Sequence, residues 1–459
     1  MSKQTPPRFD FVNLLRIITL VVCILLMGLL IFVIFREFIF SPRTTQMSMP
    51  ASQPPSATIE PTITSTVATI TPSKVTISFW GGDRNAPGRT IDDRLVEQFE
   101  LKTGIIVNSE YKPLGVTEAY QELLDELESD EPPDVVALDV IWLGAVANRL
   151  IDIRDLDTSG HYRSVLESNT VQGKLLAMPW FVNIGLLYYR PDLLEKYGFE
   201  GPPTTWDQLE AMAQKIQVGE REETDEFWGF VWQNNQDEGL TCNVLEWIAS
   251  SGGDVVQDGQ VTINSPNTIR ALERAQRWVG PEGISPVNYT NDDAERAFFE
   301  GRAAFLRSWT TAYSNPNADV IDFDIAPLPH SVGALGGAVI GVVNTTDNVE
   351  EAKQFVVFMT SEAAQEERAN SFFVPSRPAI SEGLGTTPND KKNIEKVVDI
   401  VKEVTFVNRP SIEFGEKYEE ASRAIYENVY SMLTRGEDVM TVVSNIEKGL
   451  QAALPRPSQ

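Results

Sequence analysis

The stretch LLAMPWFVNIGLLYYRPDLLEKYGF, residues 175–199, decides how the chain is read. It runs as an apolar strand through Pro179, the aromatics Trp180 and Phe181, and Asn183 into GLLYYR, and a helix begins at Pro191. Proline at the first turn of a helix costs no hydrogen bond, so the strand-to-helix switch is sharp there. The stretch contains aromatic faces and a side-chain amide but no nucleophile, no histidine and no acid before the helix. Such chemistry suits holding a molecule better than transforming one.

Upstream, VTISFW (75–80), TIDDRLVEQFELKTG (90–104), IIVNSEYK (105–112), VTEAYQELLDELESDE (116–131) and DVVALDV (134–140) alternate β-rich runs with amphipathic segments. That alternation predicts parallel α/β units, in which ligands lie beyond the carboxyl ends of strands. The loops after SFW, ALDV and AMPWF are therefore the expected binding positions. Downstream of residue 190 the pattern turns helical, returns to strand at IDFDIAPLP (321–329) and GGAVIGVVN (336–344), and ends in helices. Strand-rich, helix-rich, strand and helix again predicts two lobes that the chain crosses more than once. No repeat of solenoid length is visible.

The N-terminus is of another kind. Residues 17–35, IITLVVCILLMGLLIFVIF, form an uncharged apolar run close to the ~20 residues that cross a bilayer as a helix. A cleavable signal peptide would have a shorter apolar region ending in small residues. Lys3, Arg8 and Arg16 precede the run, so residues 1–16 are expected in the cytoplasm and the rest outside. Residues 41–74, rich in Ser, Thr and Pro, read as an extended tether. Residues 1–74 carry six basic and three acidic side chains, which leaves −30 on the remainder of a chain whose net charge is −27. Nucleic acid and anionic lipid are poor partners for such a body. Of the two cysteines, Cys23 lies in the apolar run, so Cys242 has no partner for a disulfide and reads as a small buried apolar residue.

Catalytic constellations are few. Two histidines, His161 and His330, cannot furnish a Ser-His-acid triad and a metal set; His330 reads as a loop residue. Residues 155–166, DLDTSGHYRSVL, imitate a calcium loop through Asp155, Asp157, Ser159 and Gly160, but Leu166 stands where a bidentate Glu is required. A helix-capping turn is the plainer reading, and no metal or cofactor is expected. A pair of carboxylates, as in glycoside hydrolysis, remains open among 65 acidic residues. Asp139 stands out because it interrupts an apolar run at a strand end, where an ionised group needs a partner or a cap to fill. Binding group and helix N-cap are both open readings of it.

The segments PPDVVALDVIWLGAVANRLIDI (132–153), GKLLAMPWFVNIGLLYYRPDLLEKYGF (173–199), PPTTWDQLEAMAQKIQVGERE (202–222), FWGFVWQNNQDEGLTCNVLEWIASSGGDV (227–255), EGRAAFLRSWTTAY (300–313) and DIAPLPHSVGALGGAVIGV (324–342) resemble, in order and spacing, the extracellular solute-binding proteins, family 1, of ABC sugar importers. Within that family they are most similar to the trehalose/maltose-binding proteins. The resemblance covers the chain from about Val75 onward, and WGFVWQ followed by EGL and a Cys is its most specific part.

That resemblance implies an α/β, two-lobed periplasmic-binding-protein fold of type II, maltose-binding-like, preceded by a transmembrane helix. Lobe 1 would comprise residues 75–182 and 323–364, and lobe 2 residues 183–322 and 365–459, with crossings near Phe181–Asn183 and Val320–Asp324. A sugar would sit in the cleft, which closes by hinge motion. The implied ligand set is Asp139, Trp142, Phe181, Asn183, the stacking Trp309, the Gly336–Gly337 turn and Arg377. Phe181 stands where relatives have Tyr, Asn183 where they have Asp, and Ala338 where they have a Trp platform. The implied function is a non-catalytic, monomeric sugar-binding component that delivers a disaccharide or oligosaccharide to ABC permease subunits. The alternatives are a surface-anchored glycosidase using Asp139 and a second acid, or a sensory or adhesive module that keeps the binding fold.

A sugar offers hydroxyls and apolar C–H faces, so its site requires aromatic planes and a few fixed amides or carboxylates. Trp80, Trp142, Trp180, Phe181 and Trp309 lie at or near predicted strand ends and crossings. Ordinary core packing is the competing role for each.

Overall fold

The computed structural model describes residues 75–455 apart from 83–87, 112–115, 225, 281, 316–319, 371–372 and 381–387. The apolar run 17–35 and the tether 41–74 lie outside the described residues. Among those described, no helix is long and apolar enough to cross a membrane.

Nine strands build the sheet: β1 (Thr76–Gly82), β2 (Ile106–Tyr111), β3 (Val135–Asp139), β4 (Met178–Tyr189), β5 (Trp228–Val231), β6 (Ala303–Trp309), β7 (Asp324–Ala326), β8 (Val332–Val342) and β9 (Thr405–Val407). Their order is β2-β1-β3-β8-β4-β6-β5, with β7 beside β4 and β9 beside β8. β1 runs parallel to β2 and β3, as the βαβ pattern of residues 75–140 predicts.

The opening stretch holds the sheet together. Met178–Ile184 of β4 pair with β8, and Gly185–Tyr189 of the same strand pair with β6. One continuous strand thus serves both halves of the sheet. Ten of its twelve residues are buried, and Phe181 and Asn183, two apart on one face, are the exceptions. A strand covered on both faces reads as a near-continuous apolar run, which is why VNIGLLYY lacks alternation.

The return crossing is β8. Val332–Ala334 pair with β9, Leu335–Ile340 with β4 and Ala338–Val342 with β3. This corrects the crossing expected near Val320–Asp324. There the three-residue β7 still pairs with Leu187–Tyr189, in the same half as β6. Eleven residues of β8 are long enough to serve both halves, and three are not. The first half also continues beyond residue 364. Arg368 ion-pairs with the buried Asp92, and Val374 bridges to Val182.

Helices cover the sheet: α1 (Gly88–Thr103), α2 (Val116–Glu128), α3 (Leu143–Val146), α4 (Trp206–Glu220), α5 (Glu238–Ser250), α6 (Pro266–Trp278), α7 (Asn291–Phe299), α8 (Val349–Met359), α9 (Glu362–Ala369), α10 (Pro388–Glu403), α11 (Ser411–Phe414), α12 (Tyr418–Arg435) and α13 (Val439–Ala453), besides the six-residue helices Arg163–Ser168 and Pro191–Lys196 and short 3-10 turns. Thr205, Asp237, Ser265, Thr290 and Asp438 cap their helices by accepting backbone N–H groups. The first half packs Phe79, Phe99 and Phe355 edge to face, with Phe355 5.2 Å from Phe79 and 5.1 Å from Phe99. The second packs Trp206, Phe230, Trp232, Trp247 and Trp278, with Trp232 and Trp247 4.9 Å apart. Rings at such separations add about 0.5–1.5 kcal/mol each beyond the area they bury.

Candidate functional site

A buried ion pair stands where the two halves share β4 and β8. Arg307 on β6 donates from Nε to Glu246 Oε2 at 2.9 Å and from Nη2 to Glu246 Oε1 at 2.5 Å. Glu246 Oε1 also accepts the N–H of Ala334, on the crossing strand, at 2.9 Å. Gly185 makes room for the pair, because a Cβ there would lie 2.0 Å from Glu246 Oε1. The Arg307 guanidinium lies 4.4 Å from the ring centroid of Trp309. A buried charge pair therefore fixes the ring at the end of β6.

Beside that ring opens a cavity of about 630 Å³. Its size falls within the range of small-molecule sites. The first half supplies Glu118 and Tyr120 from α2, Asp139 from the end of β3, and Ile141, Trp142 and Ala145 from the turn that follows. The crossing strands supply Asn183, Gly336 and Gly337. The second half supplies Trp309, the segment Gln233–Gly239 apart from Asn234 and Asn235, and Cys242, and beyond it Arg409 and the α12 residues Tyr418, Glu419, Ser422 and Tyr426.

Asp139 does not cap α3, whose N-cap is Trp142 without a side-chain bond. Its Oδ1 accepts the Ile141 N–H at 3.1 Å and Arg409 Nη2 at 3.2 Å. Arg409 Nη1 bonds Glu238 Oε1, also at 3.2 Å. One guanidinium thus ties a strand end in the first half to the first turn of α5 in the second. Tyr418 Oη donates to Glu238 Oε1 at 2.5 Å, and Ser422 Oγ donates to Glu238 Oε2. Burial raises the Glu238 carboxyl above its ordinary range, against the opposing pull of Arg409, Ser422 and Tyr418. Asp237 and Glu238 stand at the N-terminus of a 13-residue helix, where the backbone dipole favours negative charge.

Asn183 is oriented by Thr310, whose N–H donates to Asn183 Oδ1 at 3.0 Å and whose hydroxyl donates to the same oxygen. With the acceptor engaged, the amide offers its N–H groups to the cavity. Tyr120 and Trp142 stand 5.8 Å apart, inclined by 34°. Gly337 takes φ 106°, and a Cβ there would lie 2.3 Å from the Phe181 carbonyl oxygen. Gly336 gives space to Trp309, whose Cζ3 would be 3.1 Å from a Cβ. Cys242 is buried, and burial pushes its thiol up to about 12, so it is an inert part of the wall.

Six of the eight residues implied by the resemblance, Asp139, Trp142, Asn183, Trp309, Gly336 and Gly337, line this one cavity. Phe181 and Arg377 lie apart from it. Phe181 packs edge-on to Phe373 with ring centroids 4.9 Å apart. Arg377 donates to the carbonyls of Thr360 at 3.0 Å and Ser159 at 2.8 Å, closing the 155–166 turn. In that turn Asp157 Oδ1 accepts the Ser159 N–H and Asp155 pairs with Lys353. Trp80 and Trp180 are core residues, 1% and 2% exposed.

Arg409, Glu238, Tyr418 and Ser422 were not legible as site residues. Glu238 sits inside the specific EGL segment, and Tyr418, Ser422 and Tyr426 recur at helical spacing, but nothing in VNRPS marks Arg409.

The comparisons with known proteins bear on the family and the fold. Residues 94–395 match the family model described as bacterial extracellular solute-binding protein. A Deinococcus radiodurans protein named "Probable ABC transporter-binding protein" is 36% identical over 345 residues, 69% of this chain and 78% of that one. The maltodextrin-binding protein MdxE of Bacillus subtilis is 24% identical over 220 residues, 45% of this chain and 51% of that one. Among solved structures, maltose-bound MalE3 of T. maritima is 32% identical, with a TM-score of 0.69 over 83% of this chain and 100% of that one. The fold is thus the α/β periplasmic-binding fold that MalE3 displays, and the chain belongs to the bacterial extracellular solute-binding proteins, a family that binds solutes and does not transform them.

Proposed function

We propose that the chain is the sugar-binding component of an ABC importer, holding a disaccharide or oligosaccharide in the cavity and presenting it to permease subunits. The observation that carries this reading is the convergence of Trp309, the Tyr120–Trp142 pair, Asn183 and the Arg409–Asp139–Glu238 network on one cavity. Aromatic planes meet the C–H faces of a sugar, and the charged and amide groups meet its hydroxyls. The relatives point the same way, since MalE3 is described with maltose bound and MdxE as maltodextrin-binding. Asp139, Trp142, Asn183, Trp309 and the Gly336–Gly337 backbone form the proposed ligand set, to which Tyr120 and Arg409 are added.

The apolar run 17–35 supports anchoring in the cell membrane as a single span, with the binding body outside. Partner and location then agree, because a tethered receptor stays beside a membrane permease.

A thermal-shift screen tests the reading, because a solute that binds only the folded state raises the apparent melting temperature. Maltose, trehalose and longer glucans are expected to raise it in a saturable manner. A broad sugar panel without any saturable shift would contradict the proposal.

A further inference from the structure

The charges of the cavity carry the sugar-binding reading further, to the class of sugar. Arg409 is the cation among the described lining residues, and it is already shared between Asp139 and Glu238 at 3.2 Å from each. One positive charge against two carboxylates leaves negative charge uncompensated. Asp237 adds a carboxylate whose bonds come from neutral groups: the Gly239 N–H and the side-chain amides of Gln233 and Asn235. Among the described residues Glu118 has no ion-pair partner, and Glu419 is paired only with the exposed Arg423. Among the described residues an incoming anion would find no free lining cation.

The same cavity presents the Tyr120 and Trp142 rings. The Tyr120 hydroxyl is raised above its ordinary range by burial first, then by Glu419 and Glu416, which puts those carboxylates within electrostatic reach of the ring. An aromatic face attracts an ammonium group through its quadrupole, and a nearby carboxylate pairs with it.

We propose that the cavity selects amine-bearing carbohydrates over neutral sugars of the same shape and rejects their phosphate esters. The proposal rests on the sugar-binding reading above and adds a sign of charge to it.

The test uses the full-length chain in a detergent whose head group is not a sugar, titrated calorimetrically at about pH 6.5, where amino sugars are protonated. One series is maltose, its 2-amino-2-deoxy analogue and maltose 1-phosphate. The other is trehalose, trehalosamine and trehalose 6-phosphate. In at least one series the amine is expected to bind about threefold to tenfold tighter than the neutral sugar at low salt. That ratio should fall toward one in about 0.5 M NaCl and in the Glu118→Gln/Glu419→Gln double variant, and the phosphate should bind at least about tenfold more weakly than the neutral sugar. Neutral sugars binding as tightly as the amines, phosphates binding as tightly as neutral sugars, or a ratio unmoved by both salt and the double variant would overturn the charge preference and leave the sugar-binding reading standing. No binding by any of the six would overturn both.

Discussion

Trp309 is the residue on which the proposed site depends most. Its ring is held from behind by Arg307 and flanked by Gly336, so its open face belongs to the cavity. Trp309→Ala should weaken sugar binding by at least about tenfold, the scale of a lost aromatic anchor, while the unfolding midpoint in urea stays near that of the parent. Asp139→Ala should have an effect of similar size on binding, since it removes an acceptor and loosens Arg409 from the first half. His161 makes a prediction about pH. His161 Nδ1 shares a hydrogen bond with Ser376 Oγ at 2.8 Å, and its buried Nε2 has no partner among the described residues. Burial, aided by Arg377, lowers the imidazole pKa to about 3. The unfolded chain takes up a proton below about 6.5 and the folded chain does not, so stability falls as pH drops from about 6.5 toward 3. Between pH 7.5 and 5 the loss due to His161 should be about 2 kcal/mol, and urea midpoints of His161→Gln should show a correspondingly smaller pH dependence. At this scale the sequence revealed the residues whose type is unusual for their place, such as Asp139 in an apolar run and Asn183 in a buried strand. Arg409 stayed hidden because its role comes from two carboxylates 171 and 270 positions away.

Among the elements, β4 carries the architecture. The sequence showed a strand entering a helix at Pro191, but not that twelve residues would pair with β8 at one end and β6 at the other. A continuous apolar run does not disclose its partners, which long-range pairing decides. The second crossing was misplaced for a related reason, since IDFDIAPLP and GGAVIGVVN both read as strands and only length separates β7 from β8. Gly185 gives the element-scale test. A methyl group there would meet Glu246 Oε1 at 2.0 Å and Arg307 Nη2 at 2.5 Å and pry the buried pair apart. Gly185→Ala should therefore cost about 3–5 kcal/mol, the range for breaking a buried ion pair. Gly201→Ala, where an added Cβ meets nothing within 4 Å, should leave the urea midpoint almost unchanged. Equal midpoints for the two variants would show that the pair does not hold the crossing together.

Across the whole molecule, a shared sheet, two crossing strands and one guanidinium join the halves around a single cavity. The α/β class and the order of the elements were legible in the sequence because hydrophobic period and helix caps are local. Six residues of the proposed site were legible through a family resemblance, and they meet at one cavity because β3, β4, β6 and β8 all end or cross at the same level of the sheet. The charge of the cavity was not legible, since a body carrying −30 gives no hint of which acids share a wall. Whether this cavity binds a sugar is decided by a calorimetric titration of the full-length chain and its Trp309→Ala variant with the sugar giving the largest thermal shift. Saturable binding of one sugar per chain is expected, weakened at least about tenfold in the variant. Absence of saturable heat, or the same affinity in both proteins, would contradict it.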